Sequence, residues 1–492
     1  MTDLTADLVV IGAGGAGLPG ALAALDAGLK QVVVLEKRPI VGGNAAMSGG
    51  FLFAVDSAPQ RAAGLDGSLD DVFRETMAYF HYDRVDPALV RLWVDQADQS
   101  VEWLQGLGVG YRPMPGMHLG VEPSGWANHP SSFRRVMDLL KERVEVAGGQ
   151  IITRATVTGL VGSAASGVTA VLADTPNGPL TLSTGRVLIT TGGFTGNVGL
   201  LEDHFKGVYD ENIYWTDAKR LEGDGIALAG GVGADVRGPT ALIKENCYSF
   251  RTKKNKPNRA ATEASSLWVN RRGERFLDES LGFVNATTNA LVAQPGMVGF
   301  ALFDDALVQQ MADRPDPFAA ELRPGEDDPN TWTAEGYRRT LRDELSDPAN
   351  DEWCTSGEDW AQIASWIGAS SDALTDTVNR YNGFCDSGRD ALWGKEPSLL
   401  FPLRKPPFYA LRFRPLMIDT AGPVVVDGEL RVLDPERRPI PGLFAAGSVT
   451  SGWIGADEHR FGTPLSWAIS SGRVAGAAAA GTPTRDAKSS DS

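Results

Sequence analysis

Residues 8–17 read LVVIGAGGAG, and this stretch decides the fold. LVVI is a short apolar run of the kind that forms a strand buried on both faces. Gly12, Gly14 and Gly17 give G-x-G-x-x-G, and LPGALAALDAG carries helical spacing that ends on glycine. A second apolar run, QVVVLE, closes on Glu36. Strand, tight turn, helix and strand, with a carboxylate at the end, make a dinucleotide site. Gly12 allows the turn, Gly14 admits a pyrophosphate to the backbone, and Gly17 lets the helix pack on the sheet. The helix start offers free N–H groups and a positive dipole end. Glu36 accepts ribose hydroxyls. Pro19 falls near the first helical turn, where a missing N–H costs little.

The chain has 492 residues, too many for one small core, which predicts two or three domains. Its formal charge of −16 argues against nucleic acid or an anionic membrane as partner. Cys247, Cys354 and Cys385 are too few and too scattered for a disulfide framework or a zinc site. No apolar run reaches the ~20 residues that span a bilayer. The first residues lack the basic region of a signal peptide. These features lead us to expect a cytoplasmic protein without an integral membrane segment.

Helical periodicity fills residues 70–108 and 131–147. QIITRATVTGLV and GVTAVLAD read as antiparallel strands, and GRVLITTGGF as a buried strand ending in a glycine turn. The texture changes near residue 245, with the basic loop RTKKNKPNR and an acidic stretch over 303–351. Helices return over 358–385 and strands over 417–446, which implies a nucleotide-binding domain built from both ends of the chain.

Beyond Glu36 comes a second glycine-rich loop, EKRPIVGGNAAMSGGF. With it the sequence resembles the FAD-dependent fumarate reductase and succinate dehydrogenase flavoproteins, in the 3-ketosteroid dehydrogenase branch. VLITTGGF, GDGIALAGGVGA, LWVNRRGERFLDE, LTDTVNRYNGFCDSGRDALWGK (a cap helix) and PIPGLFAAG carry the same resemblance across nearly the whole chain. It implies an α/β fold: a Rossmann-like, three-layer FAD-binding domain with a parallel sheet and β-meander, and an inserted α+β cap. The expected boundaries are 1–244 and 419–481 for FAD, 245–418 for the substrate-binding cap, and 482–492 for a disordered tail. It further implies that FAD is held by Gly12, Gly14, Gly15, Gly17, Glu36, Lys37, Gly43, Asn44, Ser48, Gly49, Gly50, Val157, Thr191, Gly192, Asp224, Gly447, Ser448 and Leu465. GGNAAMSGG lacks the histidine that bonds covalently to flavin in succinate dehydrogenases, so the FAD is expected to be non-covalent. Pro464 opens the last helix, whose positive end would face the reduced flavin and stabilise it by up to ~2 kcal/mol.

Enzymes of this family move hydride between flavin and a carbon beside a C=C bond, while a second group moves a proton. Four residues after Glu279, where the family carries an arginine or tyrosine for that proton, this chain has Phe283. Tyr111, in GYRPMPG, which resembles a proline-rich loop of the family, and Tyr248, in KENCYSF, match positions near the family's substrate. GADEHRFGTP, residues 455–464, supplies three more candidates. Arg460 offers a guanidinium for a carboxylate, or else pairs with Asp457 or Glu458. His459 is a candidate base, and Gly462 has an N–H for a ketone oxygen. The histidines show no metal-ligand spacing.

These residues predict a dehydrogenase that introduces a C=C bond α,β to a ketone in a small cyclic keto acid such as 4-oxocyclohexanecarboxylate. The alternatives are a 3-ketosteroid dehydrogenase, a fumarate-reductase-like ene reductase of an unsaturated carboxylate, and a flavoprotein without turnover. The electron acceptor, whether O2, a quinone or a carrier protein, is left open.

Overall fold

Buried strands need backbone partners, and here they find them in parallel. In the computed structural model a six-stranded sheet runs Arg431–Leu433, Pro439–Ala445, Val187–Ile189, Leu8–Ile11, Val32–Glu36 and Gln150–Thr153. All neighbours are parallel except the first pair. Leu8, Val9, Val10 and Leu188 are wholly buried. Each such side chain contributes about 1.5–3 kcal/mol by leaving water. The helices Gly17–Asp26, Ser132–Val146 and Thr463–Ala479 cover one face. Against the other packs a sheet ordered Thr2–Thr5, Gly178–Ser183, Gly167–Thr175, Thr156–Ser163. These three layers have the expected Rossmann-like architecture with its meander.

The structure describes residues 2–80, 82, 85–114, 117–123, 132–206, 214–215, 221–247, 263–281, 285–313, 343, 345, 347, 351–454 and 462–481. The chain divides into two compact units. The first comprises Met1–Phe205, Asp217–Ile243 and Asp419–Ser492; the second comprises Lys206–Thr216 and Lys244–Ile418. The chain therefore enters the second unit twice. The expected tail lies outside the described residues.

Three elements differ from their sequence reading. Gln150–Thr153 joins the parallel sheet beside Val32–Glu36, and the meander begins only at Thr156. Tyr111–Met114, read as a loop, is a strand that pairs with Met117–Pro123, with an irregularity at Pro113. The expected cap helix stops at Ser387, because Gly388 takes a left-handed φ of 64° and caps it.

The second unit is built on residues 408–418 of the long strand Phe408–Ala421, whose neighbour Gly299–Asp304 runs antiparallel to it; from Asp419 the chain belongs to the first unit. Its apolar core gathers Leu267, Trp268, Phe300, Leu302, Phe303, Tyr409 and Leu411.

Candidate functional site: three glycine turns at the carboxyl edge of the sheet

Ligands of such sheets bind beyond the carboxyl ends of the strands, and three glycine turns meet there. The first follows Leu8–Ile11. Gly12 has φ 105°, and a Cβ on it would lie 2.6 Å from the Thr190 carbonyl oxygen. A Cβ on Gly17 would lie 1.8 Å from the Gly12 oxygen. Only glycine allows this crossing of backbones. The second turn is anchored to the first, because Gly42 N–H donates to the Ala13 oxygen at 2.7 Å. Gly14 and Gly43 face one another without side chains between them. The third turn, Gly447–Ser448, packs on the helix start, where a Gly447 Cβ would lie 2.9 Å from the Ala16 Cβ.

Glu36, the expected ribose ligand, closes the second strand. Its carboxylate accepts the Ala13 N–H at 2.9 Å and the Arg38 N–H at 2.8 Å. A carboxylate has about four acceptor sites, so two bonds leave room for sugar hydroxyls. Ala155 N–H donates to the Glu36 carbonyl at 3.0 Å, which ties the strand bearing Val157 to this end. Lys37 and Asp224, both expected at the cofactor, form an ion pair at 2.7 Å. Ser48 Oγ accepts from Gly50 N–H and donates to the Ala45 oxygen, so Asn44–Gly50 folds on itself. Thr191 Oγ1 is buried with no hydrogen-bond partner among the described residues. A buried hydroxyl without a partner costs about 1–3 kcal/mol, a deficit that a bound group at this edge would remove. The backbone cradle, the carboxylate and the orphan hydroxyl all fit a dinucleotide cofactor.

The last helix lies parallel to the first, glycine against backbone. A Cβ on Gly472 would strike the Ala16 oxygen at 2.2 Å, and one on Gly476 the Gly20 oxygen at 2.0 Å. Thr463 is nine residues before Gly472, so the last helix starts roughly 13 Å beyond the first one's start. The two helix starts therefore lie at separate points along this edge. Gly462 caps the last helix with φ 83°. Phe53 N–H donates to the Gly462 oxygen at 3.4 Å, and Phe53 pairs with Gly120 in the same small sheet as Tyr111. Leu465 lies one turn in and contacts the Gly15 position. Tyr111 is buried, its hydroxyl has no partner among the described residues, and burial holds its pKa well above the usual phenol value.

Arg460, His459, Tyr248 and Phe283 lie outside the described residues. Glu279, four residues before Phe283, is buried in the second unit. It takes Arg275 in a two-point ion pair at 2.6 and 2.8 Å and lies 3.4 Å from Lys395. Among the described residues no group of His, Cys, Asp or Glu is arranged to hold a metal ion. No described helix is long and apolar enough to cross a membrane.

Two groups at the glycine turns escape sequence reading. Ser471 Oγ accepts the Gly447 N–H at 3.0 Å, and Asp419 accepts the Ser448 hydroxyl at 2.6 Å. Neither stands in a motif; only the folded sheet brings them to the turn.

A parallel sheet with glycine turns at its carboxyl edge and a carboxylate closing its second strand defines a dinucleotide-binding oxidoreductase. Residues 7–460 match the model of the FAD binding domain family, and the chain belongs to that family. It is 28% identical to vinyl phenol reductase of Lactiplantibacillus plantarum, covering 96% of both chains. It is also 28% identical to a fumarate reductase (cytochrome) of Shewanella frigidimarina, over 97% of this chain and 77% of that one. To 4-oxocyclohexanecarboxylate 2-dehydrogenase of Sinomonas cyclohexanicum it is 25% identical, over 97% and 93% of the two chains. The fold matches the crystal structure of 3-ketosteroid-Δ4-(5α)-dehydrogenase from Rhodococcus jostii, with a TM-score of 0.75, 23% identity and 98% coverage of both. The protein binds FAD and is an FAD-dependent oxidoreductase acting on CH–CH or C=C groups.

Proposed function

We propose that the protein is a desaturase that introduces a C=C bond α,β to a ketone in a small cyclic keto acid, such as 4-oxocyclohexanecarboxylate. The observation that carries this reading is the Tyr111 hydroxyl: buried, protonated and unpartnered among the described residues, on the sheet that abuts Gly462. Making an α-proton acidic requires a donor on the ketone oxygen. A phenol held far above its usual pKa donates at every physiological pH. The relationship to 4-oxocyclohexanecarboxylate 2-dehydrogenase supports the choice of a ketone that also carries a carboxylate.

FAD supplies the acceptor for a hydride from the β-carbon. Tyr111 donates a hydrogen bond to the ketone oxygen. His459 takes the α-proton, and the electron pair of that C–H bond becomes the new π bond. Arg460 grips the carboxylate through two parallel hydrogen bonds and fixes which ring edge is presented. Gly462 and the helix behind it supply a positive end near the reacting atoms. Phenylalanine has no proton to move, so Phe283 takes no part in the proton transfer.

Mixing the oxidised enzyme with 4-oxocyclohexanecarboxylate without air tests the reading. Bleaching of the yellow flavin, with one unsaturated keto acid formed per flavin, is expected. An unbleached flavin would remove it. A second reading is favoured by the relationship to vinyl phenol reductase and fumarate reductase: the same site run toward saturation of a C=C bond. Dithionite-reduced enzyme that is re-oxidised by an unsaturated acid, and is not formed by the ketone, would establish that direction instead.

A further inference from the structure

The strand Phe408–Ala421 ends between the Gly192–Gly193 turn and the Gly447–Ser448 turn. Thr420 Oγ1 accepts the Phe194 N–H at 2.5 Å, beside Gly192 and Gly193. A Cβ on Gly193 would lie 2.3 Å from the Thr420 oxygen and 2.9 Å from Asp419 Oδ1. On the other side, Gly422 N–H donates to the Ser448 carbonyl at 2.5 Å. Asp419 Oδ2 accepts the Ser448 hydroxyl at 2.6 Å, and Oδ1 accepts the Thr420 N–H at 2.9 Å. Asp419 is 7% exposed. The turns it joins end neighbouring parallel strands, Val187–Ile189 and Pro439–Ala445.

A serine hydroxyl has one proton. While Asp419 is ionised, that proton is spent on the carboxylate, and Ser448 Oγ presents only lone pairs. Donation to a carboxylate also makes the oxygen a better acceptor. Once Asp419 is protonated, its own O–H can donate to Ser448 Oγ. The serine proton is then free to point elsewhere, and the contact reverses its sense. We propose that Asp419 is a positioning residue for the cofactor, holding Ser448 Oγ as an acceptor for a hydroxyl donor of bound FAD and releasing that arrangement when it takes up a proton.

Burial pushes the Asp419 pKa up to about 6, against the pull of Ser448 and the Thr420 N–H. Thr420 on its own strand, Ser448 on one turn and Gly193 on the other are the groups that face it. None carries charge, and no charged group among the described residues contributes to its ionisation. The switch therefore sits within the physiological range.

The inference rests on Ser448 lying against the cofactor and on no assignment of substrate. FAD affinity of the apoprotein, followed by quenching of flavin fluorescence from pH 5 to pH 8, tests it. The parent should bind FAD on the order of fivefold more tightly at pH 8, the size of one hydrogen bond's net worth, with its inflection near pH 6. Asp419→Asn should give a flat profile. Ser448→Ala should be flat at the weaker level, and the double variant no weaker than Ser448→Ala. An Asp419→Asn variant that keeps the parent's inflection, or losses that add, would overturn the proposal. If Asp419→Asn does not fold, Ser448→Ala decides alone: retention of the inflection overturns it. A Ser448→Ala variant with parental affinity at every pH would overturn the contact and leave the desaturase reading untouched.

Discussion

The two units bury carboxylates in opposite ways. In the cofactor unit, Glu36 and Asp419 are each 7% exposed, and neither pairs with a cation among the described residues. Their partners are backbone N–H groups and one hydroxyl, which leaves acceptor capacity for a ligand. In the other unit, Glu279 and Asp390 are neutralised by Arg275 and Lys395, two negative charges against two positive. Lys395 is fully buried, and burial pushes its pKa down while Glu279 pulls it back. Its ammonium also donates to the Ser266 oxygen at 2.7 Å. The unneutralised carboxylates keep acceptor capacity, whereas the neutralised ones hold up the fold.

The largest effect should come from the backbone of the cofactor unit. Gly17→Val puts a side chain where the Gly12 oxygen already lies. It should cost more than about 4 kcal/mol and yield protein without flavin, seen as the loss of yellow colour and a lower Tm. A folded, yellow variant would mean that the turn is more pliant than its contacts imply.

Next comes the neutral cluster. Glu279→Gln leaves Arg275 and Lys395 short of one negative charge in a dry site, at a cost of about 3–5 kcal/mol. Denaturant midpoints should fall by a corresponding amount while the surviving folded protein keeps its FAD affinity. Equal loss of both would erase the contrast between the units.

Asp419 supplies a smaller, pH-dependent term. Its folded pKa lies above the unfolded value of 3.8, near 6. The folded state therefore binds the extra proton, and this contribution is complete below pH 3.8 and is lost as pH rises through 6. The loss is on the order of 3 kcal/mol at neutral pH. Apoprotein carrying Asp419→Asn should show a stability-versus-pH slope less negative than the parent between pH 4 and pH 6. An unchanged slope would mean that Asp419 is not the titrating group.

Tyr111→Phe separates fold from function most sharply. The hydroxyl it removes has no partner among the described residues, so stability should hold or rise slightly. The rate of flavin reduction should fall by roughly 10- to 100-fold, the worth of a lost donor on a developing oxyanion. A variant with parental rate would make Tyr111 a packing residue only.

What was legible in the sequence follows the same division. The glycine turns and Glu36 could be read because backbone geometry dictates residue type at short, fixed spacing. Gly12, Gly17 and Glu36 needed no tertiary information. Asp419 could not be read, because its partner Ser448 lies 29 residues on, across two strand turns. Asp390 and Lys395 were hidden for another reason. The resemblance to a cap helix ran through them, yet Gly388 ends the helix first, and both charges turn inward. The strand at Tyr111 was obscured by Pro113 and by a pairing partner that only the fold supplies.

The most direct measurement compares rates of anaerobic flavin reduction by 4-oxocyclohexanecarboxylate, unsubstituted cyclohexanone and a 3-ketosteroid. The keto acid should reduce the flavin fastest, with cyclohexanone at least about tenfold slower for want of the carboxylate and the steroid inert. A steroid that reduces the flavin as fast as the keto acid, or a flavin that no ketone reduces, would contradict the assignment.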